Sequence, residues 1–219
     1  MKKYLAILKK CPLFKDISDE SLLRMLTCLG ARVSVFDKKY TIMNEGSPAK
    51  YIGIVLSGEV QISRTDFFGN RSILQNVRRG EVFAEAFACA ELSAMPVCAV
   101  ATEESEIMLI KADHILNTCE NHCAFHQKLI FNLMKDISKK TVAFHKRIEI
   151  TSKRTTREKL LSYLAAEAKE NGSNSFEIPF DRQELADYLE VERSGLSKEI
   201  SKLRKEGVIT SRKSHFKIY

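Results

Sequence analysis

The sequence predicts an α+β chain in three successive parts: a barrel of short strands, one long helix, and a helix-turn-helix with a terminal hairpin. Three observations predict it. From Ala31 to Ile110 the chain breaks into short β-branched and apolar segments separated by turns. From His122 to about Ile150 it runs without Gly or Pro. The stretch Phe180 to Ile209 then reads as two short amphipathic helices with a tight connector. Many short strands at regular spacing close into a sandwich or barrel rather than forming an α/β layer.

The elements follow in order. Two short helical patterns occupy residues 4 to 29, and Ser18 or Asp19 is placed to cap the one carrying Leu22, Leu23 and Leu26. Strands are expected at Arg32–Phe36, Tyr40–Met43, Tyr51–Ser57, Glu59–Arg64, Ser72–Val77, Val97–Thr102 and Ile107–Lys111. Glu45-Gly46, Ser57-Gly58, Gly69-Asn70 and Gly80-Glu81 mark turns between them. An alanine-rich, helix-compatible segment interrupts the strands between Gly80 and Met95.

In the long helix, Ile130, Met134, Ile137, Thr141, Phe144 and Ile148 recur at spacings of four and three, which is a heptad seam. Phe125, Leu129 and Leu133 form a second stripe beside it. A helix of this length outreaches one small barrel, so one stripe is expected on the barrel and the other against a second copy of the chain. Thr151-Ser152 and Thr155-Thr156 offer caps for a further helix carrying Leu160, Leu161, Leu164 and Ala168.

In the helix pair, Leu185, Ala186 and Leu189 share one face, Leu196, Ile200 and Leu203 share another, and Val191 plugs the connector. The open face of the second helix carries Arg193, Ser194, Ser197, Lys198, Lys202 and Arg204. Residues after Gly207 alternate as a hairpin, or wing, with Arg212 and Lys213 at its turn. Net charge is +7 overall, and from Glu192 to Tyr219 eight Lys/Arg face three Glu. Cation density concentrated on one element is an electrostatic footprint for phosphate.

Several function classes find no support. A metal-dependent barrel enzyme needs clustered ligands on its strands, yet no histidine precedes His114. No Ser-His-Asp order, phosphate-gripping glycine loop or paired catalytic carboxylate is legible, so no enzyme is expected. No run of 18 apolar residues occurs and the start is too interrupted by lysine for a signal peptide, so no membrane association and a cytoplasmic location are expected. The six cysteines (Cys11, Cys28, Cys89, Cys98, Cys119, Cys123) form no CxxC pair and read mostly as buried small hydrophobes. Cys119, His122, Cys123 and His126 would share a helical face and suit zinc or iron, but core packing is the favoured reading.

With barrel, long helix and winged pair in this order, the chain resembles the CRP/FNR family of bacterial transcription regulators over nearly its whole length. The residues that carry the resemblance are NEGSPAKYIGIVLSGEVQI, RRGEVFAEAFA, TTREKLLSYL and FDRQELADYLEVERSGLSKEISKLRKEGVI. The resemblance implies a double-stranded β-helix (jelly-roll-like) sensor at 1–122, a dimerisation helix at 123–151 and a winged helix-turn-helix at 152–219. It implies a homodimer on a near-palindromic site in double-stranded DNA, with RNA polymerase as a further partner. The base readers carried over are Arg193, Ser194, Ser197 and Lys198, with Lys202, Arg212 and Lys213 at phosphates.

The resemblance also places an effector pocket at Phe83, Glu85, Phe87, Met95 and Val97, completed by Ala143 and Phe144. Glu85 falls where cyclic-AMP-responsive members hold the ribose. Met95-Pro96 falls where those members hold the cyclic phosphate with an Arg-Ser pair, and a buried phosphate without a cation is costly. Cyclic AMP is therefore not the expected effector. A small organic effector, or none, remains, and no cofactor is assigned. A cyclic-nucleotide-binding module without DNA binding is one alternative; a redox, metal or haem-responsive member, with haem on a residue such as His145, is another. Family iron–sulfur members carry clustered N-terminal cysteines, which this chain lacks.

Overall fold

The computed structural model describes residues 1–65, 71–117 and 124–219. They divide into two compact units, Met1–Ser138 and Lys139–Tyr219. The expected turn at Gly69-Asn70, and Cys119, His122 and Cys123, lie outside the described residues.

The first unit opens with a one-turn helix α1 (Leu5–Leu8) and with α2 (Asp19–Cys28). Ser18 caps α2, its Oγ accepting from the Ser21 N–H. Eight strands follow: β1 (Arg32–Phe36), β2 (Thr41–Met43), β3 (Tyr51–Ser57), β4 (Val60–Thr65), β5 (Arg71–Val77), β6 (Val82–Phe83), β7 (Cys98–Ala101) and β8 (Ser105–Lys111). They form two four-stranded antiparallel sheets, ordered β1-β8-β3-β6 and β2-β7-β4-β5. Crossing from one sheet to the other along the chain is the jelly-roll signature of a double-stranded β-helix.

Alternation along the strands divides the apolar residues between two cores. Ile52, Ile54, Leu56, Met108 and Ile110 pack outward on Leu8, Phe14, Leu22 and Leu26 of the N-terminal helices. Val55, Val60, Val77, Phe83, Val97, Ala99 and Ile107 pack between the sheets. Two glycines are sterically required. At Gly53 an added Cβ would lie 2.1 Å from the Phe83 ring, so β3 can cross β6 only without a side chain there. At Gly58, φ is +78° and a Cβ would lie 2.2 Å from Ser105 Oγ.

The alanine-rich interruption is helical only over α3 (Glu85–Cys89), and a second short helix, α4 (Ala112–Leu116), follows β8. The long helix α5 runs from Ala124 to Thr151, 28 residues or about 42 Å. Leu129 and Leu133 are buried against the N-terminal core. Asn132 is buried with them, donating to the carbonyls of Leu13 and Lys15 at 3.0 and 2.9 Å.

In the second unit, α6 (Thr156–Asn171), β9 (Ser175–Glu177), α7 (Arg182–Leu189), α8 (Arg193–Lys205), β10 (Ile209–Arg212) and β11 (His215–Ile218) surround one core. The small sheet is ordered β10-β11-β9 and is antiparallel throughout. No helix among the described residues is long and apolar enough to cross a membrane.

Candidate nucleic-acid interface

The helix pair is built from its own sequence. Asp181 and Glu184 close a capping box on α7, each backbone N–H donating to the other's carboxylate at 2.8 Å. Glu190 ends α7 in the left-handed region at φ +54°. The Val191 N–H donates back to Ala186 O at 3.0 Å, which turns the chain sharply into α8. Leu185, Ala186, Leu189, Leu196, Ile200 and Leu203 are buried, and Val191 packs half-buried against them. A bare Ala186 Cβ at the crossing lets the two helices approach.

Two residues of α6 hold this pair in place, and neither was legible as such. Arg157 donates to Glu199 on α8 at 3.3 Å and to Glu206 just past its end at 2.7 Å. The guanidinium holds the Glu206 carboxyl below the usual carboxylate range. Lys159 Nζ donates to the carbonyls of Leu189 and Glu190 at 3.2 and 3.4 Å, placing a cation at the C-terminus of α7. Glu199 and Glu206 stand seven residues apart beside the apolar face of α8, a hint of a shared partner. Which cation it would be depends on how α6 crosses α8.

Arg193, Ser194, Ser197, Lys198 and Lys202 are all exposed on α8, and Arg212 and Lys213 are exposed on the wing. Among the described residues, none of Arg193, Lys198, Lys202, Arg204, Arg212 and Lys213 has a side-chain ion-pair partner. The wing is secured from beneath, since Arg182 donates to Lys213 O at 3.4 Å and its guanidinium lies 5.5 Å from the Phe216 ring centre. Ser194 Oγ is committed locally, donating to Glu192 Oε2 at 3.0 Å. The surface is thus a row of cations free to meet phosphate, around a helix start rich in hydrogen-bonding side chains.

The expected effector residues separate into two groups. Phe83, Met95 and Val97 are buried in the core between the sheets, with Phe87 packed half-buried against it. Glu85 is buried at the start of α3, where Ala84 adopts φ +63°. The Met95 backbone is bonded to the loop before β3, its N–H donating to Ser47 O and its carbonyl accepting from Gly46, both at 2.8 Å. An apolar side chain therefore occupies the position that the resemblance gives to a phosphate cradle. Ala143 and Phe144 are exposed and belong to the second unit.

The seam residues divide as well. Ile130 and Ile137 are half-buried against the N-terminal core, whereas Met134, Thr141, Phe144 and Ile148 are exposed. Phe131 and Val142, which the heptad count passed over, are more than half exposed.

The cysteines differ from the expectation at one place. Cys11 is buried and Cys89 and Cys98 half-buried, but Cys28 is exposed because the last turn of α2 carries it past the core face. Burial and the nearby Glu85 carboxylate push the Cys89 thiol up. His126 is buried, and its Nε2–H donates to Ile115 O at 2.7 Å, which is a core role. Among the described residues no cluster of three or more His, Cys, Asp or Glu is arranged to hold a metal ion.

Residues 33–122 match the family model of the cyclic nucleotide-binding domain, and residues 158–219 match that of the Crp-like helix-turn-helix domain. The chain belongs to the CRP/FNR family. Family members are transcription regulators rather than enzymes. The transcriptional activator protein FnrL of Cereibacter sphaeroides is 35% identical over 69 residues, covering 27% of this chain and 28% of that protein. The chain is similar in fold to the c-di-GMP-responsive global regulator CLP of Xanthomonas campestris. The TM-score is 0.61 at 16% identity, over 92% of this chain and 99% of that one. DNR of Pseudomonas aeruginosa gives a TM-score of 0.52 at 22% identity, over 100% and 95%. The CRP/FNR assignment thus covers both the sensor-type barrel and the winged reader in one chain.

Proposed function

We propose that this chain is a sequence-specific DNA-binding regulator that acts as a homodimer and answers to an effector sensed in the N-terminal barrel. The observation that carries it is the row of unpaired cations on α8 and the wing, mounted on a helix pair braced from behind by Arg157 and Lys159. Arg193 at the start of α8 is the foremost base reader, suited to guanine O6 and N7. Ser197 and Lys198 follow it, while Lys202, Arg212 and Lys213 meet phosphates. RNA polymerase is the expected further partner on the promoter.

Two copies would join along the exposed face of α5. Phe131, Met134, Thr141, Val142, Phe144 and Ile148 supply its apolar surface, and Ile130 and Ile137 turn toward their own core. The pair would then span two half-sites about 34 Å apart.

The effector is not cyclic AMP in this reading, because Met95 offers packing where a cyclic phosphate needs donors. Selection of bound sequences from a random duplex pool, read by sequencing, tests the DNA reading: a near-palindromic motif is expected. Arg193→Ala should weaken the selected site by about 1–3 kcal/mol and relax one position per half-site. An identical motif from the variant would remove Arg193 from the base readers. Calorimetric titration with cyclic AMP and with c-di-GMP tests the effector statement, and tight cyclic AMP binding would sink it.

A further inference from the structure

Glu192 stands at the N-cap of α8, where a short hydroxyl or carboxylate would satisfy the free N–H groups of the first turn. Ser18, Thr155 and Asp181 do this for α2, α6 and α7. Glu192 makes no such bond. A local rule broken on a functional face points to a role outside the fold.

The other acids around the pair are already used. Glu199 and Glu206 both pair with Arg157, and Glu190 lies 3.6 Å from Arg147 Nη2. Asp181 and Glu184 serve the capping box, and Asp187 accepts from the Gln183 amide at 2.8 Å. Glu192, on the exposed face beside Arg193, is bonded among the described residues by the Ser194 hydroxyl alone. That bond engages one of about four acceptor positions on the carboxylate and holds it beside the first turn of α8. Arg193, Ser194 and Ser197 line the same shallow concavity with Glu192 and Gln183.

A carboxylate here cannot face a phosphate without repulsion. In the major groove its complement is an exocyclic amine, and cytosine N4 is the amine that carboxylates accept from. Resting on the DNA-reading function proposed above, we infer that Glu192 is a specificity-determining residue that selects a cytosine in each half-site. Ser194 orients the carboxylate, and Arg193 reads a separate guanine. No covalent step is involved. The carboxylate accepts one N4–H and discriminates against thymine, whose O4 would oppose it.

Duplex selection with the full chain, followed by affinity measurement on single-base variants, tests this. The wild type should prefer cytosine at one position per half-site by about 5- to 150-fold. Glu192→Ala should level the four bases at that position alone. Glu192→Gln should move the preference there from cytosine to adenine, since an amide pairs with adenine N6 and N7. Glu192 is exposed, and matching thermal melts of the variants confirm that they fold. A motif unchanged by both substitutions overturns the role of Glu192 while leaving the DNA-reading function intact. Tighter binding to every sequence, without a change of preference, overturns it too and makes Glu192 a charge brake. A wild type that selects no motif overturns the DNA-reading function itself, and this inference with it.

Discussion

Ala84 adopts φ +63° and ψ 4°, a conformation that costs an L-residue roughly 1–2 kcal/mol relative to one without a Cβ. The turn from β6 into α3 demands it. Ala84→Gly should therefore raise the stability of the first unit by about 1 kcal/mol in urea unfolding; a loss would show that the Cβ packs usefully. Glu206 gives the clearest pH dependence. Hydrogen bonds from Arg157 hold its folded pKa below the unfolded value of about 4.5. Its contribution is complete above that value and is lost as pH falls through the depressed folded value. Glu158, depressed by the Thr155 backbone N–H, behaves alike. Glu167 is raised, chiefly by burial, so its ionisation weakens the fold as pH rises. Glu206→Gln should flatten the acid limb of the stability–pH curve, and an unchanged limb would assign it to other carboxyls. The Glu206 and Glu167 shifts are not legible in sequence, because one depends on a partner 49 residues away and the other on burial; the Glu158 shift comes from Thr155, three residues before it.

At the scale of elements, sequence reasoning located most of the secondary structure for a simple reason. Periods of two and of 3.6 differ sharply where one face is buried. Caps were legible to within a residue or two, at Ser18 or Asp19 and at one of the Thr151-Ser152 and Thr155-Thr156 pairs, because an N-cap acts within three residues of itself. Asp181→Ala should remove the half of the box that its carboxylate makes, the bond from the Glu184 N–H, and cost about 1 kcal/mol, measured by thermal or urea unfolding of the full chain. A cost near zero would mean that the α7 start is held by tertiary packing alone. What was missed is short or non-local. Val82–Phe83 is two residues long and is a strand only because Gly53 lets β3 pass beside Phe83.

For the whole molecule, the proposed pairing of two copies depends on which face of α5 its own core leaves exposed. Ile130 and Ile137 read as seam residues by spacing, yet they lean on the core of their own unit. A heptad count cannot distinguish a stripe that faces a partner from one that borders the home core. Exposure can: Met134, Phe144 and Ile148 remain more than half exposed. Ile148→Lys should leave the fold intact and shift the chain to monomers in sedimentation. Tight operator binding should fall with it, since one reader then holds one half-site. A stable dimer would place the seam elsewhere.

The sequence by itself determined the order of the parts: two sheets of short strands, one long helix, and a capped helix pair followed by a basic wing. It could do so because periodicity, capping and turn chemistry act over a few residues. It also named the cations of the reading face, since charges that oppose an apolar stripe must face solvent. Tertiary structure decided which charges stay free. Arg157 and Lys159 became braces because α6 crosses α8 and the end of α7. That crossing paired Glu199 and Glu206 with Arg157, and among the described residues Glu192 keeps the Ser194 hydroxyl alone. Pairing over 42 or 49 residues of chain has no local signature, and only packing reveals it.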